Sequence, residues 1–179
     1  MFELIKGDLK FKQDWFLSQK SWFVKNVRIF LDPGTIASTV YRYGSWTRTI
    51  KVSFIRALFR IPYFFLKAIV VTGFGIYIPS KAKIGKGFTI HNFSGIFISE
   101  GEMGENVIVF QGVTIGHLRG QPEPPKIGNN VLIAAGAKVL GSVTIGNNVV
   151  IGANSVVIND VPDNCTVMGK PAAIISRKN

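Results

Sequence analysis

The run PKIGNNVLIAAGAKVLGSVTIGNNVVIGANSVV, Pro125–Val157, decides the fold. Within it an aliphatic residue returns every six positions, at Ile127, Ile133, Val139, Ile145, Ile151 and Val157. Gly follows it at Gly128, Gly146 and Gly152, and small or aliphatic residues stand two positions before it at Ala137, Val143 and Val149. Six is not the helix period, and it contains the strand alternation, because residues i−2 and i point to the same side. A short strand and a tight turn, repeated, predict a solenoid of short parallel strands with three faces to a coil of about 18 residues. Asn129, Asn130, Asn147 and Asn148 supply turn conformations that most residues resist.

Toward the N-terminus the same series holds at Ile78, Ile84, Ile90 and Ile96, gains one residue, and resumes at Met103, Val109 and Ile115. The stretch from Ile78 to Val161 then makes about four coils. A twelve-residue step separates Ile115 from Ile127, and the intervening GHLRGQPEPPK has three prolines and no inward pattern. It reads as a loop extruded over about 117–126, the kind of place where a rigid scaffold carries a site.

Residues 1–74 lack the six-residue pattern and read as a helical region, against 75–179 for the repeat with its C-terminal cap. Helices are expected over about 12–30 and 36–60, divided by Asp32-Pro33-Gly34, with Pro62 ending or kinking the second. Spacing puts Ser53, Arg56, Arg60 and Lys67 on one helical face and Ile50, Phe54, Ala57, Leu58 and Ile61 on another. Two readings of this Phe-rich basic segment stay open: an interfacial membrane binder, or a helix whose apolar face packs on neighbouring subunits.

The chain has 179 residues, 47% hydrophobic, which is ample for a core. Its net charge of +11 is uneven: 12 Lys/Arg against 4 Asp/Glu in residues 1–67, and 9 against 6 in the rest. Such a balance fits an anionic lipid surface or an acidic ligand, and no nucleic-acid motif accompanies it. One cysteine, Cys165, excludes an internal disulfide framework and a cysteine-rich metal site. No secretory signal is legible in MFELIKGDLKFKQDW, and the longest apolar run, Ile61–Val71, is interrupted by Lys67 and too short to span a bilayer. A cytoplasmic protein is expected, peripheral on the inner membrane face if the basic segment binds lipid.

The segments AKIGKGFTI, QGVTIG, Pro125–Val157 and VPDNCTVMGKPAAII resemble the hexapeptide-repeat acyltransferases over about residues 75–175. Within that family they are most similar to the serine O-acetyltransferase branch and its relatives in polysaccharide biosynthesis. The resemblance implies a mainly β fold, a left-handed parallel β-helix preceded by helices, in a homotrimer with active sites between subunits. It implies acetyl transfer from acetyl-CoA to a hydroxyl, with a histidine as general base, a backbone N–H on the oxyanion, and no metal.

Two histidines are available, His91 in FTIHNFSG and His117 in VTIGHLRG. The related serine enzymes carry an Asp-His pair in the first turn; aligned on Gly87 and Gly95, His91 takes the aspartate position and Asn92 the histidine position. His91 is the first candidate for the base, and His117 the alternative base or an acceptor contact. Small residues at Ala134, Ala135, Gly136, Gly152 and Ala153 would admit the pantetheine arm of CoA, although tight-turn geometry explains them equally. Lys170 is the candidate cation for the CoA phosphates, with Arg177, Lys178 and Lys138 behind it. Tyr77 stands where those enzymes carry an acid, and Glu123-Pro124 where they carry an Arg-His pair. An amino acid's ammonium and carboxylate need charged partners, so the expected acceptor is a saccharide or lipid-linked saccharide hydroxyl, held by Tyr77, Asn92, Phe93 and Glu100. A serine acetyltransferase of cysteine synthesis and a non-catalytic scaffold are the alternatives.

Overall fold

A computed structural model describes residues 1–121 and 123–177. Four α-helices, α1 (Phe2–Phe16), α2 (Trp22–Asn26), α3 (Pro33–Thr47) and α4 (Ser53–Phe74), precede a parallel β-solenoid. A short 3-10 turn, Arg28–Leu31, leads into α3. The first face of the solenoid stacks β1 (Ile76–Tyr77), β4 (Ile96–Ile98), β7 (Thr114–Gly116), β10 (Lys138–Leu140) and β13 (Val156–Val157). The second stacks β2 (Lys83–Ile84), β5 (Glu102–Met103), β8 (Lys126–Ile127) and β11 (Thr144–Ile145). The third stacks β3 (Thr89–His91), β6 (Ile108–Phe110), β9 (Leu132–Ile133), β12 (Val150–Ile151) and β14 (Cys165–Gly169), closed by antiparallel β15 (Ala172–Arg177). The five strands of the first face make about five turns rather than four. The six-residue series undercounted because β1 precedes its first clear member and β14 follows its last.

The inward residues are those the repeat nominates. Ile84, Ile90, Ile96, Met103, Val109, Ile115, Ile127, Ile133, Val139, Ile145, Ile151 and Val157 are all buried, as are Ala82, Val113, Ala137, Val143 and Val149 two positions earlier. Coils stack in strict register, for example Val109 on Ile133 and Ile133 on Ile151. Each coil thereby adds a layer of aliphatic side chains to one continuous core.

The corner between the second and third faces is held by an asparagine ladder. Asn106, Asn130, Asn148 and Asn164 all take φ between 55 and 60°. Each side-chain amide nitrogen donates to the next oxygen, at 3.0, 3.0 and 2.9 Å. Asn tolerates this left-handed conformation and its amide satisfies the neighbour. Asn129 and Asn147 do a different job: their side-chain oxygens accept backbone N–H groups of the adjacent coil, those of Glu105 and Asn129. The register moves the first break: Ile98 and not Ile96 is the partner of Ile115. The third-to-first corner from Ile90 to Ile98, which holds His91 and Asn92, is therefore two residues longer than that from Val109 to Ile115. Only the second break falls on the corner between the first and second faces, after β7. There the long loop is pinned to the next coil, Gln121 Oε1 accepting from Ser142 N at 2.7 Å.

The helical boundaries differ from expectation. Asp32-Pro33-Gly34 starts α3 rather than merely separating two helices: the Asp32 carboxylate accepts from Thr35 N at 2.8 Å, and Pro33 sits in the first turn, where no N–H is needed. Pro62 lies inside α4, which continues to Phe74. The carbonyl it leaves without an intrahelical partner belongs to Leu58, an exposed residue on the outside of the helix.

Two ion pairs, one buried and one partly buried, fasten the helices to the solenoid. Arg42 of α3 pairs with Asp8 of α1 at 2.9 Å and donates to the carbonyls of Ile84 and Gly85, both at 2.6 Å. Asp8 also accepts from Phe88 N at 2.9 Å, so one carboxylate joins two helices to the corner after β2. Burial pushes the Asp8 carboxyl up, and the Arg42 guanidinium pulls it back. Lys12 pairs with Asp32 and donates to Thr35 Oγ1 at 3.1 Å and to the Ile90 carbonyl at 2.9 Å.

Candidate functional site

His91 ends β3, at the corner between the third and first faces. Its ring is half-buried and lies flat against Phe16 of α1, centroids 3.9 Å apart and planes 7° from parallel. Phe110, its register partner on β6, meets it edge-on at 5.1 Å. Burial holds the His91 imidazole below its ordinary range, and the Lys12 ammonium adds to this, with the Asp32 carboxylate opposing in part. The ring is therefore neutral at neutral pH and able to accept a proton. Asn92 follows with φ 60°, its amide nitrogen donating to Gln111 Oε1 at 3.1 Å. Phe93 is half-exposed and sits edge-on to Phe74 at 6.2 Å.

The same corner carries the small residues nominated for CoA. Backbone bonds link Gly112 N to Ser94 O, Gly136 N to Gln111 O and Asn154 N to Ala135 O. Ala134, Ala135, Gly136, Gly152 and Ala153 thus form the continuation, two and three coils on, of the turn that holds His91 and Asn92. Gly136 has a conformational reason of its own, φ +73°, and a Cβ there would collide with the Asn154 side chain.

The other candidates lie elsewhere. His117 follows β7 on the first-to-second corner, where it is exposed. It lines a cavity of about 500 Å³ with Lys81, Lys83, Glu100, Glu102, Glu123 and Lys126. Glu100 belongs here, 3.2 Å from Lys81, and not with Asn92 and Phe93. Tyr77 points outward from the first face, stacked on Phe97 at 5.1 Å with the Lys67 ammonium 4.6 Å from its ring centroid. The four acceptor candidates therefore occupy three places in one chain. Lys138 is committed within the fold, donating to Gly112 O at 2.7 Å and Thr114 Oγ1 at 2.9 Å. Lys170 is exposed in the turn joining β14 to β15, and Arg177 is exposed at the end of β15; Lys178 lies outside the described residues. Cys165 is buried. Among the described residues no group of three or more His, Cys, Asp or Glu is placed to hold a metal ion.

Phe16, Phe110, Lys12 and Gln111 surround His91 and Asn92, and the sequence did not nominate them. Phe110 and Gln111 were reachable from the repeat, one coil on from His91 and Asn92. Phe16 and Lys12 were not, because about 75 residues separate them from β3.

The chain matches the family model Bacterial transferase hexapeptide (six repeats) over residues 124–159. It is 50% identical over 107 residues to a serine acetyltransferase of Staphylococcus xylosus, covering 58% of this chain and 49% of that protein. It is 44% identical over 126 residues to the serine acetyltransferase of Bacillus subtilis (strain 168), covering 66% and 58%. The chain thus spans about half the length of the curated relatives it matches. The crystal structure of the serine acetyltransferase from Brucella abortus strain S19 in complex with coenzyme A superposes with a TM-score of 0.83 at 26% identity, over 99% of this chain and 68% of that one.

These relatives overturn the expected saccharide acceptor, since the similar proteins and structures are serine acetyltransferases. The physical error was to count charged partners at aligned positions only. The cavity beside His117 holds both signs, Glu123 among them, so groups able to meet an ammonium and a carboxylate are present without the aligned Arg-His pair. Over its repeat the chain is similar to the bacterial hexapeptide transferases and, among proteins carrying that repeat, to serine acetyltransferases.

Proposed function

We propose that the chain is a serine O-acetyltransferase, moving the acetyl group of acetyl-CoA to the hydroxyl of L-serine. The observation that carries this is the 44–50% identity to serine acetyltransferases over 107 to 126 residues. On this reading His91 takes the hydroxyl proton as the oxygen attacks the thioester carbonyl. A backbone N–H stabilises the oxyanion that forms. The C–S bond then breaks, and the CoA thiolate recovers the proton, leaving O-acetylserine and free CoA. Phe16 and Phe110 clamp the ring, and Asn92 and Phe93 border the acceptor. Ala134, Ala135, Gly136, Gly152 and Ala153 line the pantetheine path, with Lys170 toward the phosphates.

A homotrimer is part of the proposal. His91 and His117 sit on different corners of one prism, and two corners share a cleft only when a second prism lies alongside. Closed cyclic symmetry would repeat that cleft three times. His117 and the charged cavity of one subunit would then face His91 of its neighbour and supply the partners for the serine ammonium and carboxylate.

The test is CoA release from acetyl-CoA, followed as free thiol, with L-serine as sole acceptor. Saturable release that falls at least a hundredfold in His91→Ala supports the reading. No release with serine, in protein that binds CoA, refutes the acceptor and leaves the donor site standing.

A further inference from the structure

Helix α1 follows the strand that carries His91. Asp8, Lys12 and Phe16 recur every four positions, so they share one face of the helix. In the same order Asp8 accepts from Phe88 N at 2.9 Å, Lys12 donates to the Ile90 carbonyl at 2.9 Å, and Phe16 lies flat on the His91 ring. The spacing fits: four helical residues rise about 6 Å and two strand residues about 6.6 Å.

Of the three contacts, fastening alone explains the middle one least. Lys12 is 7% exposed, and burying an ammonium is costly unless its protons find partners. Lys12 spends all three, on Asp32 Oδ2, Thr35 Oγ1 and the Ile90 carbonyl. An apolar side chain of similar volume often holds such a place as well or better. The Asp8–Arg42 pair, moreover, already ties α1 and α3 to the corner after β2. What the ammonium adds is a bond to the carbonyl directly before His91 and a fixed positive charge near the ring. Among the described residues Lys12 from α1 and Asp32 from the start of α3 are the charged groups that act on the ring; β6 meets it with the neutral Phe110.

We propose that Lys12 is a positioning residue for His91, holding the Ile90 carbonyl and so the turn from which the ring acts. This rests on His91 being the base of the proposed acetyl transfer. The Lys12 and Asp32 charges act on the ring in opposite senses, which separates this role from a merely structural one. The test compares Lys12→Met and Asp32→Asn with wild type, by NMR titration of the His91 ring and by CoA release with L-serine. Asn keeps the cap on α3, because its side-chain oxygen also accepts from Thr35 N. The His91 midpoint should rise in Lys12→Met and fall in Asp32→Asn, and the acid limb of kcat/KM should follow it in each. Above all three midpoints, Lys12→Met should lower kcat at least about tenfold, with KM for both substrates within about twofold of wild type. Taking kcat per folded protein, from urea unfolding of each variant, removes the effect of lost stability. An unmoved midpoint in Lys12→Met, shifts of the same sign in both variants, or an unchanged kcat overturns the proposal. A Lys12→Met chain that does not fold overturns it as well, because Lys12 is then structural. Unchanged release in His91→Ala refutes the base and the proposal with it. No release with serine refutes the acceptor alone, and the opposite shifts in the titration then support the role of Lys12 or, by their absence, overturn it.

Discussion

His91 owes its character to side chains from three parts of the chain. The flat face of Phe16, the edge of Phe110 and the nearby Lys12 ammonium all disfavour a second proton on the ring. The chain has two histidines, so the titration is directly observable by NMR. We expect the His91 midpoint below the usual histidine value of about 6.5. A base must be neutral to act, so the acid limb of kcat/KM should lie below that value too. The stability sign follows: a lowered folded-state pKa means that the unfolded chain binds the proton more readily. Stability is then full above the unfolded value and declines as pH falls through it toward the folded one. Phe16→Ala should move the midpoint back up and lower kcat more than it raises KM; an unmoved midpoint would show that the stacking does not matter. His91→Ala should cost about 10²–10⁴-fold in kcat, the range for losing a positioned general base.

The decisive elements are α1 and α3, because they hold the first coils and the His91 turn in place through buried charge. Arg42→Met strands Asp8 in the interior, and we expect a loss of about 3–5 kcal/mol in urea unfolding. Adding Asp8→Asn should recover part of that loss, and no recovery would mean that Arg42 acts through its bonds to Ile84 and Gly85 alone. At the neighbouring corner, Gly136→Ala places a side chain in the left-handed region at φ +73° and against Asn154. A loss of about 1–2 kcal/mol from the backbone alone is expected. Because this corner is also the proposed pantetheine path, KM for acetyl-CoA should rise as well. A variant destabilised with an unchanged KM would assign Gly136 to the turn and not to the donor.

At the scale of the molecule, the two histidines are a statement about assembly. If one subunit's His91 faces its neighbour's His117, then His91→Ala and His117→Ala each inactivate, and unfolding and refolding the two together restores part of the activity in mixed oligomers. Full activity of His117→Ala alone would confine the chemistry to the His91 corner. The polar outer residues of the second face, Lys83, Glu102 and Lys126, suit water, whereas Phe97 on the first face and Leu132 and Val150 on the third leave apolar surface to cover. Light scattering on the purified chain tests the threefold state directly.

The solenoid was legible because its code is local. Each strand, turn and inward residue is specified within six positions, and the stacking of identical coils repeats that specification until a chance match is excluded. The same locality made Ile127, Ile133 and Val139 readable as core, Asn130 and Asn148 as turn residues, and the loop at 117–126 as a break. It also placed Ala134–Gly136 and Gly152 in turns, though not on the edge that carries His91, since that depends on counting faces. What only the tertiary structure decided is whatever crosses between the helical region and the coils. Phe16 on His91, Lys12 on the Ile90 carbonyl and Asp8 on Phe88 N are contacts across about 75 to 80 residues, and no local period encodes them. The outward turn of α4 is of the same kind. Spacing separated Arg56, Arg60 and Lys67 from Phe54, Leu58 and Ile61, although the helix expected over about 36–60 is two helices broken between Thr47 and Ser53, with Ile50 in the break. Which side faces the body depends on Tyr63, Val70 and Tyr77 meeting in space, and the body took the basic one.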